Sequence, residues 1–214
     1  MCLMNKNMTC SHIHLDVVGG IAGDMFVASM LDMSPHLKTI VLDAIRIVLP
    51  ATAGTCELVE GINSGISGLR FKWQSPKANE EKHEAEHSHS HSHQHTTYRH
   101  LCQLITSSSL HQSVSKVAVE LLTIIAKAEA KIHAKTLDDV HFHELADWDS
   151  LMDVVAAAVI LTALSSCSWS TSKLPLGSGL VKTQHGLIPV PAPATAEILL
   201  GFEFFDDSIK GERI

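Results

Sequence analysis

Between Ser75 and Thr97 the chain carries no large apolar side chain and runs from Pro, Lys and Glu into His87-Ser-His-Ser-His-Ser-His-Gln-His95. Such a stretch has nothing to bury that could offset the entropy of ordering, so residues 76–96 are expected to form a flexible, disordered histidine-rich insert. The core must then come from residues 1–75 and 97–214 folding together. At 214 residues and 45% hydrophobic composition, these two pieces are long enough for one domain with a sizeable core.

On the amino-terminal side, His12 to Val18 alternates loosely and is rich in branched residues, and it runs into Gly19-Gly-Ile-Ala-Gly23-Asp-Met25. Phe26 to Leu31 then has helical character, which predicts a strand, a glycine turn and a helix over 24–32. Free N–H groups at such a helix mouth can hold an anion. The turn matches neither G-x-G-x-x-G nor the Walker phosphate loop, so this signal is weak. Asp16 and Asp24 flank the turn. Asp24 suits a helix N-terminus electrostatically, whereas Asp16 in an apolar strand asks for a cationic or hydrogen-bonding partner.

Further along, Leu37, Ile40, Val41, Ala44, Ile45 and Val48 share one helical face and Pro50 closes it, predicting a helix over 36–49. Glu57 to Trp73 holds two strand-like runs interrupted by glycines, a hairpin or two adjacent strands. Past the insert, Val117, Ala118, Leu121, Leu122, Ile124, Ile125 and Ala128 face inward from a helix over 113–133, with His133 at its end. A last helix is expected over 151–165. The fold class is α/β, a single domain of mixed sheet and helices.

The chemistry concentrates at Val140-His-Phe-His-Glu-Leu-Ala-Asp-Trp-Asp-Ser-Leu-Met-Asp153. Ser150 and Asp153 have capping-box spacing, so the helix should start near Leu151. If the preceding residues are extended, His141 and His143 lie on one face and Glu144 on the other, a half-site for a divalent metal. A polar edge with local hydrogen bonds is the bland alternative. The histidines of the insert, His83, His87, His89, His91, His93 and His95, suit exchangeable capture of borderline cations such as nickel, zinc, copper or cobalt; a merely solubilising loop is the alternative. Leu174 to Thr195 is dense in Gly and Pro, which disfavours regular structure. It carries Ser178, Lys182, Thr183 and His185, a group suited to anion contacts.

A net charge of -7, with no offsetting basic block, argues against nucleic acid or anionic membrane as a general partner. No apolar run reaches the roughly 18 residues of a membrane span. The five scattered cysteines form no C-x-x-C pair, and a reducing cytoplasm is the default expectation.

Taken together, Asp16 through Asp24-Met25, the internal histidine tract, His141-Phe-His143-Glu144 with Asp149-Ser150 and Asp153, and Pro175-Leu-Gly-Ser-Gly179 through His185-Gly and Pro189-Val-Pro-Ala-Pro-Ala-Thr195 resemble the LarC family. The resemblance covers nearly the whole chain, with departures at Gly19 and Ala22, where serines are usual, and at Ala146-Asp147-Trp148. It implies nickel insertion into pyridinium-3,5-bisthiocarboxylic acid mononucleotide, a nickel chelatase (lyase) activity that forms the nickel-pincer nucleotide cofactor. The residues it implies as catalytic are Asp16, Asp24, His143 and Glu144. Gly20, Gly23, Ser178, Lys182 and His185 would bind the nucleotide, and the tract histidines with His141, His143 and Glu144 would hold the metal. Family members continue past the equivalent of Gly211-Glu212 into a carboxy-terminal domain associated with CTP and Mg or Mn, so a carboxy-terminal LarC-like polypeptide is an implied partner. Self-association is left open. A nickel storage or delivery protein without chemistry is the competing reading, resting on the histidine tract.

Overall fold

The computed structural model describes residues 10–63, 65–74, 97–142, 148–183 and 186–214. The chain enters through β1 (His12–Leu15), passes the glycine turn and forms α1 (Gly23–Met33). A 3-10 turn over Pro35–Leu37 leads into α2 (Lys38–Val48), and the hairpin β2 (Thr55–Asn63) and β3 (Ile66–Gln74) follows. Three helices come next: α3 (Tyr98–Ser107), α4 (Gln112–His133) and α5 (Trp148–Ala163). The remainder alternates short strands with one short helix: β4 (Ser168–Thr171), β5 (Leu174–Pro175), β6 (Leu180–Thr183), β7 (Gly186–Pro189), α6 (Pro193–Ile198) and β8 (Phe204–Phe205).

Helix α5 is the hub. It is apolar around nearly its whole circumference, with Leu151, Met152, Val155, Ala156, Val159 and Ile160 buried, which is the composition of a helix enclosed on several sides. It packs against α1, α2 and α4, and it ends beside β4. Strand β4 lies parallel to β1 in the register His12↔Ser168 to Leu15↔Thr171. Ile13 points from β1 into the core, and Trp169 opposite it tilts at 45° against Phe26 of α1. The β2–β3 hairpin is antiparallel from Thr55↔Gln74 to Asn63↔Ile66 and covers α1. This is a single α/β domain, as its alternation of elements predicts. No helix among the described residues is long and apolar enough to cross a membrane.

The structure corrects several expectations. Helix α5 is already formed at Trp148, so Ser150 lies inside its first turn and makes no capping box; Asp153 turns toward α1 instead. Helix α3 was not anticipated, although Thr97 caps it by accepting the His100 N–H and Leu101 and Ile105 bury one face four residues apart. The Gly- and Pro-rich segment is regular where irregularity is expected: β6 and β7 pair antiparallel, β5 and β8 pair parallel, and Pro193 opens α6 at a position where a missing N–H costs nothing. In α4 the inward face includes Ala126, while Ile124 is 52% exposed. Ile40 of α2 is likewise exposed. The insert and its histidines lie outside the described residues.

Candidate functional site

The glycine turn after β1 is a junction of three parts of the chain. Gly20 takes φ 111, and its N–H donates to the Val17 carbonyl at 3.1 Å. A Cβ there would stand 2.3 Å from the carbonyl oxygen of Arg213, so only glycine lets the carboxy-terminal segment approach. That same carbonyl accepts the Ile21 N–H at 2.8 Å. Arg213 is itself pinned by a well-buried ion pair, Nε to Asp207 Oδ2 at 2.8 Å. Gly177 of the Pro-Leu-Gly-Ser-Gly motif is the matching contact, since a Cβ there would strike the Gly211 carbonyl and the Arg213 side chain.

Gly23 opens α1 against α5. A Cβ on it would lie 2.4 Å from Asp153 Oδ2, and the Asp24 N–H donates to that carboxylate. The Asp153 Oδ1 atom is enclosed and finds no hydrogen-bond partner among the described residues. Burial, then the neighbouring charges of Asp149 and Asp24, push this carboxyl up to about 7, against the opposing hydrogen bond from Asp24. A carboxyl group of the chain's own therefore sits at the helix N-terminus where an external anion is expected. The Asp24 carboxylate is exposed and turned back on the Met25 N–H at 2.8 Å.

Between β1 and α1 runs a cleft of about 350 Å³. Ile13 to Val18 line one side, and Met25, Phe26, Ser29, Met30 and Met33 line the other. Asp16, for which burial and a partner are expected, is exposed and lines this cleft just past the strand end, so water supplies the solvation it needs. Beside it, His12 and His14 share the exposed strand face. His12 Nδ1 meets Ser168 Oγ at 2.8 Å, His12 Nε2 meets Ser170 Oγ at 2.9 Å, and His14 Nδ1 meets Ser170 Oγ at 2.8 Å.

Of the residues singled out in the sequence, the cleft gathers Asp16 and Gly20, with Gly23 and Asp24 following at the start of α1. His141 lies elsewhere, half-buried in an antiparallel bridge with Thr97 between buried Val140 and Phe142. Ser178 bridges to Gly211, its hydroxyl donating to the Ile209 carbonyl at 3.3 Å, and Lys182 is exposed on β6. His143, Glu144 and His185, like the tract histidines His83, His87, His89, His91, His93 and His95, lie outside the described residues. Among the described residues, no three His, Cys, Asp or Glu side chains group as metal ligands would. Asp153 is the residue that sequence reasoning passed over: its spacing from Ser150 suggests a cap, and only the packing of α5 on Gly23 shows otherwise.

An α/β domain with a glycine-turn cleft defines only a broad class, and comparison with known proteins narrows it. The family model described as "Nickel insertion protein" matches residues 13–214. Relatives provisionally named nickel insertion proteins include those of Geotalea uraniireducens, 34% identical over 94% of this chain, and Geotalea daltonii, 37% identical over 94%. One from Methanocaldococcus jannaschii is 34% identical over 92%. The chain belongs to the nickel insertion protein family, the one its motifs resemble. It spans about half the length of these relatives, 48% of each. No solved structure matches it.

Proposed function

We propose that this chain supplies the nickel-handling half of a nickel chelatase that inserts Ni(II) into pyridinium-3,5-bisthiocarboxylic acid mononucleotide. The observation that carries the reading is the family match, which runs through every motif named above from residue 13 to residue 214. Tract histidines collect the ion; His141, His143 and Glu144 hold or relay it; Ser178, Lys182 and His185 orient the anionic nucleotide. Asp16 and Asp24 act at the mouth of the glycine turn, where Gly20 and Gly23 allow close approach. Soft thiocarboxylate sulfur then draws nickel from harder imidazole and carboxylate ligands. CTP with Mg or Mn belongs, in this reading, to the part of the family's polypeptide that has no counterpart here.

The test supplies Ni(II), the purified sulfur-bearing nucleotide, CTP and Mg(II) or Mn(II) to the chain, alone and with that second half of a relative. Formation of the nickel nucleotide, read by mass spectrometry, supports insertion. Nickel binding without product in both mixtures supports a storage or delivery protein instead. Deleting residues 83–95 is expected to lower activity at scarce nickel and leave it nearly intact at saturating nickel, whereas replacing His141 and His143 by Ala abolishes it at any nickel level with the circular dichroism unchanged.

A further inference from the structure

Among the described residues strand β1 pairs with another strand along one edge only. Its odd-numbered residues face β4: the Ser11 carbonyl accepts from the Ser168 N–H at 3.0 Å and the Leu15 carbonyl from the Ser172 N–H at 2.9 Å. In a parallel ladder the alternate residues point the other way. The main-chain groups of His12, His14 and Asp16 therefore face the opposite edge, which no strand occupies among the described residues. The cleft runs along this open edge. Ile13, His14 and Leu15, consecutive residues of both strand faces, line it together with Asp16 to Val18 just past the strand end, and a strand presents both parities to one groove only along its edge. Uncovered apolar side chains stand on its walls beside His14, Asp16 and Ser29: Val18 is 80% exposed, Met25 50% and Met33 45%. Among the described residues this is a two-stranded parallel sheet with an uncovered groove beside its open edge, whereas parallel strands ordinarily lie in the interior of a larger sheet.

The end of the chain points to the occupant. Glu212, Arg213 and Ile214 line a second hollow with Gly19 to Ala22 and Met25, and it shares Gly20, Ile21 and Met25 with the cleft. Ile214 thus lies at the carboxyl end of β1, at the mouth of the cleft. The relatives carry about as much polypeptide again as the matched part, which reaches residue 214 of this chain.

We propose that the open edge of β1, with the cleft between it and α1, is the docking surface for the half of the family's polypeptide that follows the part matched here, which enters as an added strand. Chain continuing from the Ile214 end reaches Val18 first and runs back toward His12, so the added strand is antiparallel to β1. Its backbone bonds to His14 and Asp16, and its apolar side chains fill the groove over Val18 and Met25, the mode of recognition by strand addition. The inference rests on the family reading but not on nickel chemistry, so its test runs with chelator present and its outcome is separable from that of the insertion assay.

The remaining half of the Geotalea daltonii relative, beyond the part that matches this chain, is supplied both as a separate polypeptide and fused after Ile214. Hydrogen exchange at the His14 and Asp16 amides is expected to slow at least about tenfold in the fusion relative to the free chain, with the Ile13 and Leu15 amides unchanged because β4 already protects them. His14→Pro removes the open-edge donor without touching the β4 ladder, and it should weaken association of the separate half at least about tenfold with an unaltered circular dichroism spectrum. Val18→Asp with Met25→Glu should do the same, while Ile124→Glu, on the exposed face of α4, should not. Unchanged exchange at His14 and Asp16 in the fusion overturns the proposal. So does a homodimer of this chain that His14→Pro dissolves, because the edge would then belong to a second copy.

Discussion

In the helical layer α5 buries Leu151, Met152, Val155 and Ile160 among α1, α2 and α4, whereas among the described residues the segment from Leu174 to Ile214 contributes buried Leu174 and Leu199, with half-buried Phe204 and Ile214, to a small apolar cluster with Val17. The segment is tied to the rest by the packing of α6 on α4, the Lys131–Glu197 pair and the Ile21–Arg213 bond, while the Arg213–Asp207 pair and the backbone exchange between Ser178 and Gly211 hold it to itself. Apolar burial stabilises in proportion to area, and point contacts contribute about 1 kcal/mol each, more where charged and desolvated. One region is thus a scaffold, and the other a strap with a smaller buried cluster, expected to open before the scaffold does. The cleft lies where they meet.

That contrast is broken most directly by Ile160→Ala, which empties a fully enclosed position and is expected to cost about 3–5 kcal/mol of global stability. Leu199→Ala, in the small cluster, should cost about 2 kcal/mol or less and speed hydrogen exchange in residues 174–214 before the helices. Denaturant unfolding of the two variants reads the difference; equal losses would mean the two regions are one cooperative unit. Gly20→Ala comes next. Its new methyl group meets the Arg213 carbonyl in a backbone conformation that disfavours any side chain, an expected cost of about 1–3 kcal/mol. The loss should be confined to the strap: limited proteolysis after residue 174 should quicken while the helical circular dichroism stays constant.

Asp153 sharpens the comparison at the junction through pH. Its carboxyl, pushed up to about 7 from an ordinary 3.8, keeps a proton in the folded state that the unfolded chain has released. Unfolding therefore becomes progressively easier as pH rises from about 4 to about 7, and the loss is complete above that. Asp153→Asn keeps an oxygen for the Asp24 N–H and does not titrate. The melting temperature of the wild type should fall relative to the variant across this window, by a few degrees at most, because the group is partly solvated; parallel curves would remove Asp153 from the account. The smallest effect belongs to Lys131→Ala. Its 2.6 Å pair with Glu197 joins α4 to α6, but Lys131 is largely exposed, so about 0.5 kcal/mol is expected. A loss above about 2 kcal/mol would show that α6 is held by that pair and not by packing.

Helices α1, α2, α4 and α5 were legible because each depends on a pattern its own segment carries. The apolar period of α2 and α4 and the continuous apolar run of α5 declare burial before any partner is known, and Glu57 to Trp73 reads as a hairpin or two adjacent strands because its partner strands adjoin. Strand β4 was not legible, since Ser168 to Thr171 acquires its meaning only from β1, far away in sequence. The same holds at the site. Asp16, Gly20, Gly23 and Asp24 are visible as a strand–turn–helix, yet their surroundings come from elsewhere: Asp153 from α5 and the Arg213 carbonyl from the chain's end.

From its residues alone this chain determined its class, four of its helices and the strand–turn–helix at its amino-terminal side, because periodicity, composition and spacing are local properties of a sequence. Tertiary structure alone decided that Gly23 faces a carboxyl, that Gly20 admits Arg213, that Asp16 is solvated, and that β1 keeps an open edge. These are contacts between segments more than a hundred residues apart in sequence or vacancies between them, and no local pattern encodes which distant atom will occupy, or leave empty, a given ångström of space.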